Sequence, residues 1–468
     1  MTDAITSLSA VALSTAIARR ELSCVEVMQA HLARIAEANP VHNAIVELRE
    51  EAALLDEARA ADRELAAGVY RGRLHGMPHG VKDLADAAGL PTSMGSPIFA
   101  GRIAAADSLH VARIRAAGAI LVGKTNVPEF GLGSQSYNSV FGVTRNALDP
   151  ELTAGGSSGG AAVALATRML PSADGSDMMG SLRNPAAFNG VVGFRPSQGR
   201  VPSYPAEDVF FGQLAVNGPM GRTVADTIRQ LCTIAGPDPR TPLTIAEALP
   251  EPAAFRPAEP AQLRIGWLAD LDGYLAMEPG VLERCEAALA GFSAAGAVIE
   301  PVALPFDPAR LWACWLVLRQ FGVCRLRPLY EDDALRAQLK PELCWELEQG
   351  LALSAGDVAA AGAVRSQWFA AVAELFGRYD LLALPAAQVF PFPAEVHWPD
   401  RIDGRTMDTY HRWMEVVVPG TLAGLPVVAL PAGVDGRGRA AGLQFMGAFG
   451  RDREVLEAAL AYEALTAR

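Results

Sequence analysis

The chain has 468 residues, of which half are hydrophobic and a fifth are charged, which is the composition of a globular protein with a large core. Its formal net charge of −12 argues against a nucleic-acid partner, because phosphate binding needs a basic surface. No stretch is long and apolar enough to span a membrane, and the first residues lack the apolar core of a signal peptide. We therefore expect a cytoplasmic protein with no membrane partner.

The N-terminal residues 1–70 are predicted to be helical. Ser23 and Glu26 have the spacing of a capping box, and the apolar residues that follow recur on one helical face. A second helix is predicted over residues 50–67, which are rich in Ala, Glu and Leu. The apolar faces of these helices must pack against another apolar surface, and we expect the following segments of the chain to provide it.

From residue 75 onward, short apolar strands alternate with helices. Helices are predicted over residues 108–117, 161–169 and 453–467, with a mostly helical region over 308–378. Strands are predicted over residues 80–83, 119–123, 191–194, 263–267, 297–302, 381–384, 426–430 and 443–446. Such alternation is typical of a sheet covered by helices. We predict an α/β fold: one large domain, residues 1–468, with a central mixed β-sheet covered by α-helices on both faces.

The stretch from residue 155 to 185 carries two serine-bearing loops on either side of an Ala-rich segment. The first, residues 155–160, reads GGSSGG, and the second, residues 177–181, reads DMMGS. Glycines let backbone N–H groups converge and let another atom approach closely. A nucleophile and an oxyanion site need both properties, so the two loops are candidates for a catalytic centre.

Other reactive residue types narrow the chemistry. Only three of the 40 Lys and Arg residues are lysines, namely Lys82, Lys124 and Lys340. Unlike Arg, a buried Lys can lose its proton, so each is a candidate base. The six cysteines show no CxxC pair, which favours free thiols in a reducing compartment. The histidines include no HExxH motif, and we expect neither a metal nor a cofactor.

An alternative nucleophile is Ser158, because residues 156–160 match the GxSxG pattern of a nucleophile elbow. An elbow follows a buried strand, whereas the preceding residues 148–154 contain a proline and two acidic residues. A triad of that type also needs a later histidine, for which only His397 and His411 are available. The sequence context therefore argues against Ser158 as the nucleophile.

Several motifs, in a fixed order, make the chain resemble the amidase signature family. They are RGRLHGMPHGVKDLADAAGLPTSMGS (71–96), VGKTNVPEFGLGSQSYNSVFGVTRN (122–146), AGGSSGGAAVALA (154–166), GSDMMGSLRNPAAFNGVVGFRPSQGRV (175–201), NGPMGRTVADT (217–227) and PGTLAGLPVVALPAGVDGRGRAAGLQFMG (419–447). With the N-terminal helices they cover about two-thirds of the chain. The resemblance implies a catalytic core over residues 71–230 and a return to that core over 380–468. Residues 270–375 do not resemble the family and are expected to form a mostly helical region on the substrate side.

The resemblance implies a Ser–cis-Ser–Lys triad. Ser181 matches the family's nucleophile, Ser157 its bridging serine, which follows a cis peptide bond, and Lys82 its base. The chemistry agrees with these roles, because a serine hydroxyl needs a base to take its proton and burial lowers the pKa of a lysine. A bridging hydroxyl can both donate and accept. The expected reaction is acyl transfer, in which Ser181 attacks a carbonyl and water then releases the acid.

The same resemblance places the oxyanion site at the backbone N–H groups of Met178, Met179, Gly180 and Ser181. The family usually has a second glycine where this chain has Met179, so we expect a pocket that is narrower or more apolar there. Asn184, three residues beyond the nucleophile, is a candidate substrate contact together with Met179.

Three charged residues in the matched motifs receive structural roles. Lys124 lies in the sequence GKTN and is predicted to serve packing and hydrogen bonding. Asp177 and Arg183 flank the nucleophile turn and are predicted to form an ion pair that holds it.

We therefore predict a serine amidohydrolase that cleaves the C–N bond of a small, uncharged and partly apolar amide through an acyl-enzyme on Ser181. A urethanase or an esterase on the same scaffold is an alternative, because carbamates and esters pass through the same tetrahedral chemistry. The family also contains the glutaminase component of a tRNA-dependent amidotransferase, which would need a second chain as its partner. A catalytically silent binding protein is a further alternative, which the complete triad disfavours.

Overall fold

An 11-stranded mixed β-sheet runs through the protein, in a computed structural model that describes residues 2–466. The strands are β1 (Ile45–Val46), β2 (Pro78–Lys82), β3 (Ile120–Thr125), β4 (Tyr137–Asn138), β5 (Gly142–Val143), β6 (Ser172–Asp177), β7 (Val192–Arg195), β8 (Val216–Gly221), β9 (Arg264–Trp267), β10 (Val298–Pro301), β11 (Leu381–Pro385), β12 (Arg401–Ile402), β13 (Arg405–Thr406), β14 (Val427–Val434) and β15 (Ala440–Met446). β4 with β5, and β12 with β13, form separate two-stranded sheets.

The large sheet has the order β1-β3-β2-β6-β8-β7-β14-β15-β11-β9-β10. β2 pairs in parallel with β3 and β6, and β9 pairs in parallel with β10 and β11. The strands between β6 and β11 pair antiparallel, as does the edge strand β1 with β3. The predicted mixed sheet is therefore confirmed.

The helices are α1 (Thr2–Ser7), α2 (Ala10–Ala18), α3 (Cys24–His42), α4 (Glu51–Ala66), α5 (Leu109–Ala116), α6 (Gly159–Ala166), α7 (Arg183–Asn189), α8 (Val224–Ile234), α9 (Val281–Ala294), α10 (Pro308–Val323), α11 (Arg327–Glu331), α12 (Asp333–Arg336), α13 (Pro341–Leu351), α14 (Ala355–Leu375), α15 (Val418–Leu422) and α16 (Asp452–Thr466). The expected capping box of Ser23 and Glu26 begins α3. Within residues 2–466, none of these helices combines the length and the apolar character needed to cross a bilayer.

Apolar clusters lie on both faces of the sheet. Along β14, Val428 and Leu430 face one cluster while Val427 and Ala429 face the other, as the two-residue repeat of a strand requires. The first cluster is completed by α3, α8, α9 and α16, and the second by α7, α10, α14 and α15. Burial of this apolar surface, at about 25 cal/mol per Å², holds helices against both faces, as predicted.

Three strands of the sheet were not predicted from the sequence. One is the two-residue edge strand β1, which interrupts the region predicted to be helical because its backbone pairs with the end of β3. The other two are β6 and β8. Their residues, SADGSD and VNGPMG, have the composition of turns. They form strands because each lies between two neighbours that pair with its backbone, and because small residues permit close packing. A Cβ at Gly175 would lie 2.5 Å from Leu182 Cδ2, and one at Gly218 would lie 2.4 Å from the Phe194 carbonyl oxygen. The other predicted elements are present with ends that differ by a few residues, and residue 467 of the closing helix lies outside the described residues.

Candidate active site

Lys82 is the last residue of β2, and serine hydroxyls surround its ammonium group. Nζ donates to Ser157 Oγ (2.8 Å), Ser158 Oγ (2.8 Å) and Ser176 Oγ (3.0 Å). The side chain is 1% exposed, and this burial lowers the pKa of Lys82 to about 7, although the carboxylates of Asp174 and Asp177 oppose the shift. A large fraction of the amine is therefore neutral near pH 7 and able to accept a proton.

Ser157 and Ser158 lie in the loop that leads into α6. The peptide bond between Gly156 and Ser157 is cis. The preceding strand, β5, ends at Val143, so no strand runs directly into this loop. The strand–turn–helix context of a nucleophile elbow is therefore absent at Ser158.

Ser181 does follow a strand, because β6 ends at Asp177 and α7 begins at Arg183. The expected ion pair holds the turn between them: Arg183 Nη2 lies 2.9 Å from Asp177 Oδ1 and Arg183 Nε lies 3.0 Å from Asp177 Oδ2, with both side chains fully buried. Burial would raise the pKa of Asp177, but the Arg183 guanidinium holds that pKa well below its usual range. The turn is thus fixed by a bidentate charged contact.

The two loops meet, since the Ser158 N–H donates to the Ser181 carbonyl oxygen at 3.1 Å. Lys82, Ser157 and Ser181 all line one cavity, so the structure brings the predicted triad together. Within the described residues, no hydrogen bond joins Ser157 Oγ to Ser181 Oγ, although one joins Ser157 Oγ to Lys82. Catalytic hydrogen bonds are often long in the absence of substrate and tighten when it binds.

The nucleophile turn offers fewer oxyanion donors than the sequence suggested. The Gly180 N–H donates to Asp177 Oδ1 at 2.9 Å and is therefore occupied. The N–H groups of Met178, Met179 and Ser181 form no hydrogen bond with the described residues. Gly180 has φ of +78°, and a Cβ there would lie 2.1 Å from Asn184 Oδ1. Met179 is not among the described residues with positive φ, so its side chain is compatible with the turn.

The two predicted substrate contacts are placed differently. Met179 is 6% exposed and lines a slot of about 20 Å³ beside Ser181. Asn184 is fully buried, donates from Nδ2 to the Ala386 carbonyl oxygen at 2.8 Å, and lines neither the slot nor the main cavity. Because a helical side chain points back over the preceding turn, Asn184 packs against Gly180 behind the nucleophile and does not face the substrate space.

The main cavity has a volume of about 320 Å³ and meets the slot at Ser181. One side, here called the core wall, consists of Lys82, His110, Ser157, Asp174, Ser176 and Ser181. Another part of the lining, here called the helical wall, consists of Arg319, Gly322, Val323, Arg325 and Leu326. The helical wall belongs to the region that the sequence suggested would face the substrate.

A buried histidine–aspartate cluster in the core wall was not predicted from the sequence. Asp174 Oδ1 accepts the Lys82 backbone N–H at 3.1 Å, and its two oxygens lie 3.3 Å from His79 Nε2 and His110 Nε2. Burial would raise the pKa of Asp174, but His110 and His79 hold it well below its usual range. These histidines are 64 and 95 positions from Asp174 in the chain, so no local pattern marks the cluster.

The other two lysines lie apart from the triad. Lys124 Nζ donates to the Ala85 carbonyl oxygen and lies 3.8 Å from Asp83 Oδ1, and Lys340 Nζ donates to the Leu132 carbonyl oxygen. Neither lines the main cavity or the slot. Among residues 2–466, no group of three or more His, Cys, Asp or Glu side chains is arranged to hold a metal ion.

Comparison with known proteins gives a consistent result. The family model named Amidase matches residues 26–456. An acylamidase of Rhodococcus erythropolis is 33% identical over 98% of this chain and 95% of its own length. A glutamyl-tRNA(Gln) amidotransferase subunit of Acidothermus cellulolyticus is 35% identical over 97% of this chain and 94% of its own length.

Solved structures agree with these relatives. A bacterial aryl acylamidase of the amidase signature family superposes with a TM-score of 0.90 at 27% identity, over 98% of this chain and 96% of that one. The peptide amidase of Stenotrophomonas maltophilia superposes with a TM-score of 0.81 at 30% identity, over 98% and 97%. The chain therefore belongs to the amidase signature family of amide-hydrolysing enzymes.

Proposed function

We propose that this protein is a serine amidohydrolase that forms an acyl-enzyme on Ser181, with Ser157 and Lys82 as its proton relay. The observation that carries the proposal is the buried Lys82 amine, whose pKa of about 7 and 2.8 Å contact with Ser157 Oγ suit a base. All three side chains line the same cavity. Backbone contact between the two serine loops keeps them adjacent.

The reaction begins when Ser181 Oγ attacks the amide carbonyl carbon. Its proton passes to Ser157 Oγ, which in turn gives a proton to neutral Lys82. The free N–H groups of Met178, Met179 and Ser181 stabilise the negative charge on the carbonyl oxygen. The protonated Lys82 then returns a proton through Ser157 to the leaving nitrogen, and the C–N bond breaks. Water, activated by the same relay, hydrolyses the ester on Ser181.

The substrate we propose is a small, uncharged and partly apolar acyl amide. The main cavity is within the usual size range for small-molecule sites, and much of its lining is apolar, including Leu84, Phe130, Val323 and Leu326. The similar acylamidase and aryl acylamidase support an acyl amide over a carbamate or an ester. Six unpaired cysteines fit the reducing cytoplasm that we propose as its location.

The test compares an anilide, an aryl carbamate and an aryl ester of matched size, hydrolysed by the wild type, Ser181→Ala and Lys82→Ala. We expect the wild type to cleave the anilide and both variants to lose this activity. The rates on the three substrates identify the preferred class. Full activity of Ser181→Ala together with loss of activity in Ser158→Ala would overturn the assignment of the nucleophile.

A second candidate function is that of the glutaminase component of a tRNA-dependent amidotransferase. Its support is the 35% identity to the amidotransferase subunit of Acidothermus cellulolyticus over 97% of this chain. Such a component works together with a second chain. Purification from the native cell with that chain, and glutaminase activity that depends on it, would favour this function over the first.

A further inference from the structure

Arg319 stands out in the helical wall because it is buried next to the nucleophile turn. It lies on α10 and is 7% exposed. Its Nε donates to Glu346 Oε1 at 3.0 Å, its Nη2 to the Tyr410 hydroxyl at 3.2 Å, and its Nη1 to Met178 Sδ at 2.8 Å. The same side chain lines both the main cavity and the slot, as does Ser181.

The guanidinium of Arg319 has more donors than partners. It carries five N–H groups, of which only three have a partner among residues 2–466. One of those partners is a thioether sulfur, which is a weak acceptor. Buried donors are nearly always hydrogen-bonded, and the Arg319 side chain lines the space that the substrate would occupy. The missing acceptor is therefore expected on the substrate.

The charges around Arg319 favour an uncharged acceptor. Glu346 compensates the guanidinium charge through a buried ion pair. Burial lowers the pKa of His411 to about 4 and raises that of Tyr410 well above its usual value, so both neighbours are neutral at pH 7. A substrate carboxylate would add an uncompensated charge to this buried site, which is costly. A second cation, Arg325, also lines the cavity, but it lies at the exposed rim. Its charge is therefore screened by solvent and is not part of the buried site around Arg319.

The position of Arg319 also indicates which part of the substrate it would contact. The slot is bordered by Ser181 and Arg319 but not by Lys82 or Ser157. The leaving nitrogen must take its proton from the Lys82–Ser157 relay, so it faces the core wall. A group that contacts Arg319 from the slot therefore belongs to the acyl part of the substrate.

We propose that Arg319 is a substrate-binding residue that donates a hydrogen bond to a second, uncharged carbonyl oxygen in the acyl part of the substrate. This inference rests on the proposed function, because it assumes an acyl-enzyme on Ser181. It narrows the substrate class to acyl amides with a second carbonyl group close to the scissile bond, as in N-acylated amino-acid amides.

The test uses three 4-nitroanilides whose acyl groups have nearly the same shape: N-acetylglycyl, succinyl and 4-methylpentanoyl. The first presents a neutral carbonyl oxygen, the second a carboxylate and the third no acceptor. We expect kcat/KM for the N-acetylglycyl substrate to exceed that for the 4-methylpentanoyl substrate by about 10- to 100-fold, the range for a hydrogen bond to a charged group. The succinyl substrate is expected to be no better than the 4-methylpentanoyl one.

Variants then assign this preference to Arg319. Arg319→Lys keeps a countercharge for Glu346 but loses the forked donors, and we expect the preference to fall to within about threefold. The double variant Arg319→Met, Glu346→Gln removes both charges together, so that neither is left buried without its partner. It replaces Arg319→Lys in this measurement if that variant is unstable, and the preference should again be lost. Tyr410→Phe loosens the network but leaves the donors, so the preference should persist. Arg327→Met is the matched control, since Arg327 is exposed, pairs with Glu331 and lies outside the cavity.

Binding provides a readout that does not need turnover. Titration of the three anilides into Ser181→Ala by calorimetry is expected to show the same order of affinities. If the wild type has the same kcat/KM for all three substrates, Arg319 has a structural role only. The same conclusion follows if Arg319→Lys lowers kcat/KM equally for all three. A preference for the succinyl group that Arg325→Met removes would assign recognition to the rim cation. Retained hydrolysis in Ser181→Ala would instead overturn the proposed function.

Discussion

The core wall and the helical wall hold their polar groups by different means. In the core wall, Lys82 and Asp174 lie on neighbouring strands, β2 and β6, and each has several polar partners within 3.3 Å. In the helical wall, Arg319 is the buried polar group, and its neighbours Gly322, Val323 and Leu326 are apolar or small. One wall is a densely connected polar network, and the other is a largely apolar surface with a single buried charged donor, Arg319, and an exposed one, Arg325.

This difference separates two tasks. Groups in the core wall act on the scissile bond, which every amide substrate shares, so their loss should lower turnover of all substrates alike. Groups in the helical wall and the slot contact substituents, so their loss should change the ratio between substrates. The following changes test this separation, in order of decreasing expected effect.

Lys82→Met removes the base and keeps the length of the apolar stem. We expect kcat/KM to fall by about 10⁴-fold or more for every substrate, measured by progress curves on the folded enzyme. Lys124→Met is the matched control, because Lys124 is equally buried but lies outside the cavity. It should keep its turnover per folded molecule and lose roughly 3 kcal/mol of unfolding free energy, since Asp83 is left without its cation. A similar loss of turnover in both variants would contradict the role of Lys82.

Ser157→Ala and Ser158→Ala distinguish the two hydroxyls that lie 2.8 Å from Lys82 Nζ. Ser157 lines the cavity and Ser158 does not, so only Ser157 can pass a proton between Ser181 and the base. We expect kcat to fall by about 10³-fold in Ser157→Ala and by about tenfold in Ser158→Ala, for all substrates. The reverse order, measured by steady-state kinetics, would reassign the relay to Ser158.

The pH dependence of kcat/KM tests the electrostatics of the core wall. Lys82 must be neutral to accept a proton, so activity should fall as the pH drops below its pKa of about 7. The negative charge of Asp174 raises that pKa, and Asp174→Asn should therefore move the acidic limb of the profile to lower pH, by about one unit. The measurement uses an anilide that does not titrate in this pH range. If the acidic limb is unchanged in Asp174→Asn, a group other than Lys82 controls the loss of activity at low pH.

Met179→Gly removes a side chain from the slot without touching the triad. The slot should widen and accept a larger acyl group, so the ratio of kcat/KM between a bulky and a small acyl anilide is expected to rise by about tenfold. Ser181 and its relay are unaltered, so the value for the small substrate should change little. A ratio that stays the same, with a folded protein by circular dichroism, would remove Met179 from the determinants of specificity.

The prediction of the fold from the sequence succeeded where local pattern and structure agree. The apolar runs of β3 and β11 and the amphipathic α3 are present near their predicted positions. It missed the two-residue edge strand β1. It also missed β6 and β8, because their Gly, Ser, Asp and Pro residues are typical of turns. Pairing with strands on both sides overrides this local preference, and the sequence of one strand does not reveal its neighbours.

The sequence by itself determined the class of chemistry, because serines in two glycine-rich loops and one of only three lysines matched a family whose motifs include all three. Only the tertiary structure decided how these groups are tuned and what surrounds them. It placed Asp174 and two distant histidines behind Lys82, used the Gly180 N–H within the turn, turned Asn184 away from the substrate space and brought Arg319 to the nucleophile. Each of these depends on contacts between residues far apart in the chain or on the direction of a side chain, and neither leaves a local pattern in the sequence.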